Sequence, residues 1–221
     1  MSLGALSWQV PAAILAGYAL GSVPWGLVLS KLTGRTDPRS VGSGNIGATN
    51  VMRAGGKALG AATLLLDAGK GVAAVLLFSG GAPWAFAGTR SPLGAVAGLA
   101  AVFGHCFPVW LKLHGGKGVA TYLGVAVALL GVRALALFVG LWALAWALTR
   151  IAGAASLAAT WGTAAWANVA CWRLQPKGES MDPPLIVALT LVVAAGLVHY
   201  RHASNIADMA QRWRAWRTRP A

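Results

Sequence analysis

The sequence predicts an all-α integral membrane protein, one polytopic domain over residues 1–221 with seven transmembrane helices. Three observations predict it. Of 221 residues, 57% are hydrophobic and only 10% charged, where a soluble domain carries roughly a quarter charged. Residues 1–30, 71–89, 134–149, 151–172 and 183–198 hold no charged side chain at all, and about 20 apolar residues suffice to span a bilayer. The net charge of +13 sits in short intervals between those apolar runs. That placement points to membrane topology and anionic reactants, and away from nucleic acid.

The apolar runs place helices at 8–30, 58–79, 92–111, 118–131, 134–149, 152–172 and 183–200. The first has no basic residue before it, and Lys31 follows it. This is the layout of a retained helix and not of a cleaved leader. The stretch 118–149 is interrupted only by Arg133. It reads as one long helix or as two of about 15 residues, each roughly 23 Å against a hydrocarbon core of about 30 Å.

Charge bias decides between them. Seven helices with the N-terminus periplasmic put Lys31, Arg35, Arg39, Arg53, Lys57, Lys112, Lys117 and Arg150 on the side of the arginine-rich C-terminus. Arg90, Arg133, Arg173 and Lys177 fall on the other. Six helices would export that tail, against the positive-inside tendency. The C-terminus is therefore expected in the cytoplasm. The tail, 203–218, carries Ile206, Met209, Trp213 and Trp216 at helical spacing among arginines, the pattern of an amphipathic helix lying on the headgroups. Cys106 and Cys171 both sit in apolar context and read as small buried hydrophobes.

The same topology gathers three unusual segments on the cytoplasmic face. The first, GSGNIGATNVMR at 42–53, offers Ser43, Asn45, Thr49, Asn50 and Arg53, more hydrogen-bonding groups than a turn needs. A guanidinium forks onto phosphate oxygens, so Arg53 is the natural clamp. The second, HGGKGVAT at 114–121, lacks Walker A spacing and opens a membrane helix. Its Gly115, Gly116 and Gly118 still permit close backbone approach, and Lys117 adds a full charge to a helix start. The third, HASNI at 202–206, ends the last helix and turns His202 and Asn205 toward the other two.

Asp67 and Lys70 lie three apart inside an apolar run, so they share a helix face and neutralise each other. Whether they are structural or line a site stays open, as it does for His105. No carboxylate or cysteine accompanies His199 and His202 to complete a metal set, and neither metal nor cofactor is expected. The five acidic residues form no dyad. No histidine is followed by aspartate in the H-x4-D spacing used by many glycerolipid acyltransferases.

Taken together, GSVPWG (21–26), VGSGNIGATNVMR (41–53), LLLDAGKG (64–71), GHCFPVWLKLHGGKGVAT (104–121) and HASNI (202–206) resemble the bacterial acyl-phosphate:glycerol-3-phosphate acyltransferases of the PlsY type. The resemblance implies a multi-pass enzyme of the bacterial inner membrane, its active site facing the cytoplasm. It moves a fatty acyl group from acyl phosphate to the 1-hydroxyl of glycerol 3-phosphate, giving lysophosphatidate and inorganic phosphate. Such an enzyme has two small-molecule substrates, contacts membrane lipid, and has the producer of acyl phosphate as a candidate partner.

Carried over by position, Ser43, Arg53, Lys117, His202 and Asn205 take catalytic and binding roles. Gly44, Asn45, Thr49, Asn50, Gly115, Gly116, Gly118 and Thr121 join them as substrate-binding positions, with Asp67, Lys70 and His105 behind them. Beyond Ile206 the tail departs from the family pattern.

These assignments lead to an expected arrangement: donor phosphate on the 115–118 glycines and Lys117, glycerol 3-phosphate among Ser43, Arg53, His202 and Asn205. His202, a substrate phosphate, or Ser43 as an acyl-enzyme nucleophile are the three routes for the hydroxyl proton or the acyl group. The acyl chain is expected between helices, with 94–101 and 152–159 as Ala/Gly-rich candidate faces. A small transporter for phosphorylated metabolites is the alternative of a different class.

Overall fold

The computed structural model describes residues 3–80, 91–173 and 182–203, with side chains described from 8–80, 91–170 and 184–203. Among them no strand occurs. The chain runs α1 (Leu3–Gly21), α2 (Trp25–Leu32), α3 (Ala48–Gly55), α4 (Lys57–Leu77), α5 (Pro92–Cys106), α6 (Val119–Leu130), α7 (Val132–Thr149), α8 (Ala152–Arg173) and α9 (Asp182–Tyr200), with short 3-10 turns at Pro38–Ser40 and Val109–Leu111. Among the described residues, four segments are long and apolar enough to cross a membrane: Trp8–Leu32, Lys57–Leu77, Pro92–Leu111 and Val132–Thr149. Val119–Leu130 and Pro184–Tyr200 are shorter apolar helices.

The run expected as one helix over 8–30 is broken between Gly21 and Trp25. Pro24 supplies no N–H, and its ring disfavours helical geometry at Val23. The break frees carbonyls in an apolar setting, and each needs a donor. Lys70 Nζ donates to Val23 O at 2.8 Å, and Trp110 Nε1 donates to Ser22 O at 2.8 Å. The helix expected over 92–111 likewise stops at Cys106, ahead of Phe107-Pro108. The segment 118–149 is two helices, turning at Gly131 with φ 79°.

Helices approach closely where side chains are absent. Gly17 and Gly21 of α1 lie on the Ala97 and Ala101 backbone of α5, so that a Cβ at either would collide with a carbonyl oxygen. Gly71 of α4 and Gly124 of α6 pack in the same way against Thr121 and Ala68. Backbone proximity at small residues is how helices associate in lipid. It also settles one expectation: the small residues at 97 and 101 are filled by α1 and leave no slot.

The core gathers α5, α6, α8 and α9 around Val102, Tyr122, Leu129, Leu191 and Val198. α4 and α7 both pack on the 12-residue α6 and do not form a packed pair with each other. A gap between them follows, and the site lies in it.

Candidate active site

The loop before α3 is built around Asn50. This residue is 2% exposed. Its Nδ2 donates to Pro38 O at 2.6 Å, Asn45 O at 2.9 Å and Val41 O at 3.0 Å, while its Oδ1 accepts from Ser43 N at 3.1 Å. The sequence reading puts Asn50 on the ligand; the structure spends its amide on the loop itself, while the residue also lines the cavity. Gly44, also expected to bind substrate, is a turn residue with φ 67°. Its N–H donates to Val41 O, and it does not line the cavity. The loop so fixed holds Ser43, Asn45 and Thr49 outward, with Arg53 one turn further along α3.

The glycine segment 115–118 departs further from expectation. Gly115 N–H donates to Cys106 O at 3.1 Å and Gly116 N–H to His105 O at 3.0 Å. Both amides are thus bound to the end of α5. Neither glycine lines the cavity, and a Cβ at Gly116 would collide with His105 Nε2. On the other side, Arg201 donates from Nη2 to Gly115 O at 2.8 Å and from Nε to Gly116 O at 3.1 Å. Its guanidinium lies 5.3 Å from the Phe107 ring centroid. Arg201 is a positioning residue that sequence reasoning counted only as a tail charge.

What faces the cavity is Lys117 and the start of α6, residues 118–120. Gly118 has φ 83° and, as the N-cap residue, offers no side chain to cap this helix. Free N–H groups at a helix start carry partial positive charge and favour an anion. Thr121, expected among the ligands, is fully buried against α4 and lies off the cavity.

His202 completes the group. It is 3% exposed, and its Nδ1 lies 2.7 Å from Val198 O. A carbonyl only accepts, so Nδ1 carries the proton and Nε2 keeps a lone pair. Burial pushes the imidazole pKa down to about 4. The bond to Val198 opposes that shift, and the charges of Lys117 and His199 add to it. His199, three residues earlier, instead meets Trp161 Nε1 at 3.4 Å. Asn205 lies outside the described residues, as does the tail from 204 on.

One cavity of about 730 Å³ brings these segments together. Ser43, Asn45, Thr49, Arg53, Lys117 and His202 all line it, although more than 150 residues separate the first from the last. Two more cations line it that the sequence reading left out, Lys57 at the start of α4 and Arg150 after α7. The acid on its wall is Asp67, which Lys70 Nζ approaches to 2.8 Å and His105 Nδ1 to 3.6 Å. Asp67 and His105 reach the cavity, whereas Lys70 turns to Val23 O. The pair thus serves both the broken helix and the site.

Away from the cations the cavity is apolar, walled by Leu64 of α4, Leu123 of α6, and Phe138, Val139 and Trp142 of α7. Leu64 and Val139 are also 44% and 52% exposed, so this arm opens sideways through the gap between α4 and α7. A cationic end and a lateral apolar arm in one space suit an amphiphile with an anionic head.

Comparison with known proteins gives a consistent answer. A family model described as "Glycerol-3-phosphate acyltransferase" matches residues 11–212. A glycerol-3-phosphate acyltransferase of Brucella anthropi is 49% identical over 203 residues, 92% of this chain and 90% of that protein. One of Rhodopseudomonas palustris is 50% identical over 195 residues, 88% of this chain and 89% of that protein. Among solved structures, the glycerol 3-phosphate form of PlsY (YgiH), an integral membrane glycerol 3-phosphate acyltransferase, superposes with TM-score 0.77 at 34% identity. That match covers 91% of this chain and 92% of the other.

Proposed function

The chain belongs to the glycerol-3-phosphate acyltransferase family of integral membrane enzymes of phospholipid synthesis, and we propose that it draws its acyl group from acyl phosphate. The observation that supports this reading is the single cavity that joins Ser43, Arg53, Lys117 and His202 to an apolar arm open to lipid. An acyl phosphate has an anionic head and a long tail, and both halves of the cavity match it.

The donor phosphate binds Lys117 and the free N–H groups at the start of α6. This assignment replaces the expected cradle of Gly115 and Gly116, whose amides are already bonded. Glycerol 3-phosphate lies toward Ser43 and Arg53, its phosphate on the guanidinium, with Asn205 a further ligand. Two phosphates in one pocket repel more strongly as water leaves, and Arg53, Lys117, Lys57 and Arg150 supply the opposing field. The 1-hydroxyl oxygen attacks the acyl carbonyl carbon, the bond from that carbon to the phosphate oxygen breaks, and inorganic phosphate leaves. Positioning two bound reactants offsets a large share of the barrier.

The proton goes to a phosphate. A phosphate monoester has its second pKa near 6, whereas burial holds His202 at about 4 in the unliganded site, which favours a phosphate dianion as the base. His202 Nε2, left as an acceptor by the Nδ1 bond to Val198 O, accepts a hydrogen bond from the 2-hydroxyl and so holds the glycerol, leaving the 1-hydroxyl proton to the phosphate, while Ser43 binds without forming an acyl-enzyme. Seven membrane crossings, a periplasmic N-terminus and a cytoplasmic site in the inner membrane complete the reading, since the cationic mouth then meets the positive-inside face.

The test uses purified protein in detergent with acyl phosphate and glycerol 3-phosphate, followed for phosphate release and lysophosphatidate. Transfer that requires both substrates is expected. Phosphate release that continues without the acceptor, or transfer from acyl-CoA alone, would overturn the donor assignment. A His202→Ala variant that keeps a measurable part of its turnover, with a rate profile following the phosphate pKa, is expected on this scheme; complete loss would restore histidine as the base. Acyl-Ser43 trapped in a quenched reaction would refute direct attack.

A further inference from the structure

Along α7, Phe138, Trp142, Trp146 and Arg150 recur every fourth residue, and side chains at that spacing share one helix face. The last three form a stack. The Arg150 guanidinium lies 4.8 Å from the Trp146 ring centroid, and Trp146 stacks on Trp142 at 6.2 Å with planes 6° apart. Phe138, Trp142 and Arg150 line the cavity. Arg150 is exposed at its mouth and Phe138, 4% exposed, lies deep.

The stripe is braced from behind. Trp142 Nε1 donates to Ser156 Oγ of α8 at 3.3 Å. The Phe138 ring meets Tyr122 with centroids 6.4 Å apart, and Tyr122 Oη donates to Thr160 O at 3.0 Å. An aromatic wall backed by a second helix and a hydrogen bond yields little to an incoming chain. From Arg150 to Phe138 the rise along α7 is roughly 18 Å at about 1.5 Å per residue, the scale of a long fatty chain.

We propose that this stripe is an acyl-length ruler, with Arg150 at the level of the donor's phosphate and Phe138 as the stop for its methyl end. The proposal rests on the acyl-donor reading of the cavity. Val139 offers an independent handle, because it lines the same arm and is half exposed, so a larger side chain there fits without repacking the core.

The test is a competition among acyl phosphates from decanoyl to octadecanoyl with glycerol 3-phosphate, read as the lysophosphatidate distribution by mass spectrometry. Each variant is normalised to its own shortest product. Phe138→Ala is expected to move the cut-off toward longer chains by about two to four carbons, the room a deleted ring leaves. Val139→Trp is expected to move it the other way, and it keeps the test alive should Phe138→Ala not fold. Leu148→Ala, 77% exposed on α7 and off the cavity, serves as the control. Distributions unchanged in the folded variants would overturn the ruler. Were acyl-CoA the only working donor, the donor reading would fall while the acyl-CoA series still read the cut-off.

Discussion

Two glycine-rich segments, 42–53 and 114–121, look alike on paper and are used in opposite ways. In the first, one buried asparagine consumes its own amide to shape the loop, and the neighbouring Ser43, Asn45 and Arg53 are left to face the cavity. In the second, the glycines themselves are the structural element. Gly115 and Gly116 are tied to α5 through their N–H groups and to Arg201 through their carbonyls. Glycine marks close backbone approach, but the approaching partner can be an anion or simply another helix. Here it is the ring and carbonyl of His105. The reactive parts of both segments are the side chains and helix end just beyond the glycines.

The hardest blow to this contrast is Gly116→Ala, and it carries the largest expected effect. An amide cradle would survive the change, because alanine keeps the N–H. A packing role would not, since the new methyl group collides with His105 Nε2. Over-packing costs about 1–3 kcal/mol. We expect a lower Tm in detergent together with a fall in kcat/KM of about a hundredfold, as Lys117 shifts with its loop. A normal Tm with an unchanged KM would favour the cradle.

Arg53→Ala comes next. It removes a charge-assisted bond to phosphate worth about 1.5–3 kcal/mol, so KM for glycerol 3-phosphate should rise roughly tenfold to a hundredfold while Tm holds. An unchanged KM would contradict the placement of that phosphate. Asn50→Ala sharpens the comparison from inside the same loop. It orphans the buried Pro38 carbonyl and the partly buried Val41 and Asn45 carbonyls and Ser43 N–H at about 1–3 kcal/mol, and should lower Tm, whereas Ser43→Ala at an exposed position should lower activity alone. Equal melting behaviour for these two variants would erase the distinction between shaping and binding residues.

Much of this was legible in sequence wherever the signal was local. The Asp67–Lys70 pair follows from spacing on one helix face, and the structure closes it at 2.8 Å. The turn near Gly131 follows from a glycine beside an isolated arginine. Long-range partners left no such trace. That Lys70 would also serve Val23 O, across the Pro24 break, depends on how α1 and α4 meet. Arg150 and Lys57 looked like ordinary flanking charges, because periodicity says nothing about which helix ends share a cavity. The apolar arm was hidden for a related reason. Leu64, Phe138 and Trp142 read as lipid-facing or core residues until α6 proves too short to hold α4 and α7 together.

The smallest expected effect is a pH dependence, and it separates His202 from the cations around it. In the unfolded chain a histidine titrates near 6.5; in the folded protein His202 titrates at about 4. The folded state therefore prefers the neutral ring, and the unfolded state binds the extra proton first. Stability is fully present above about pH 6.5 and falls as pH drops toward 4, by on the order of 2 kcal/mol. A His202→Gln variant should lose that slope, which Tm measured across this window would detect. The Lys117 charge is one of the causes that lower the ring pKa, so Lys117→Ala should shrink the slope, whereas Arg53 is not among those causes and Arg53→Ala should leave the slope in place. Phosphate bound beside the ring reverses the sign of the neighbouring field and favours the imidazolium. Added glycerol 3-phosphate should accordingly raise the titration midpoint of His202, followed by NMR of the labelled ring. A midpoint indifferent to ligand would place the phosphates too far from His202 for it to hold the glycerol.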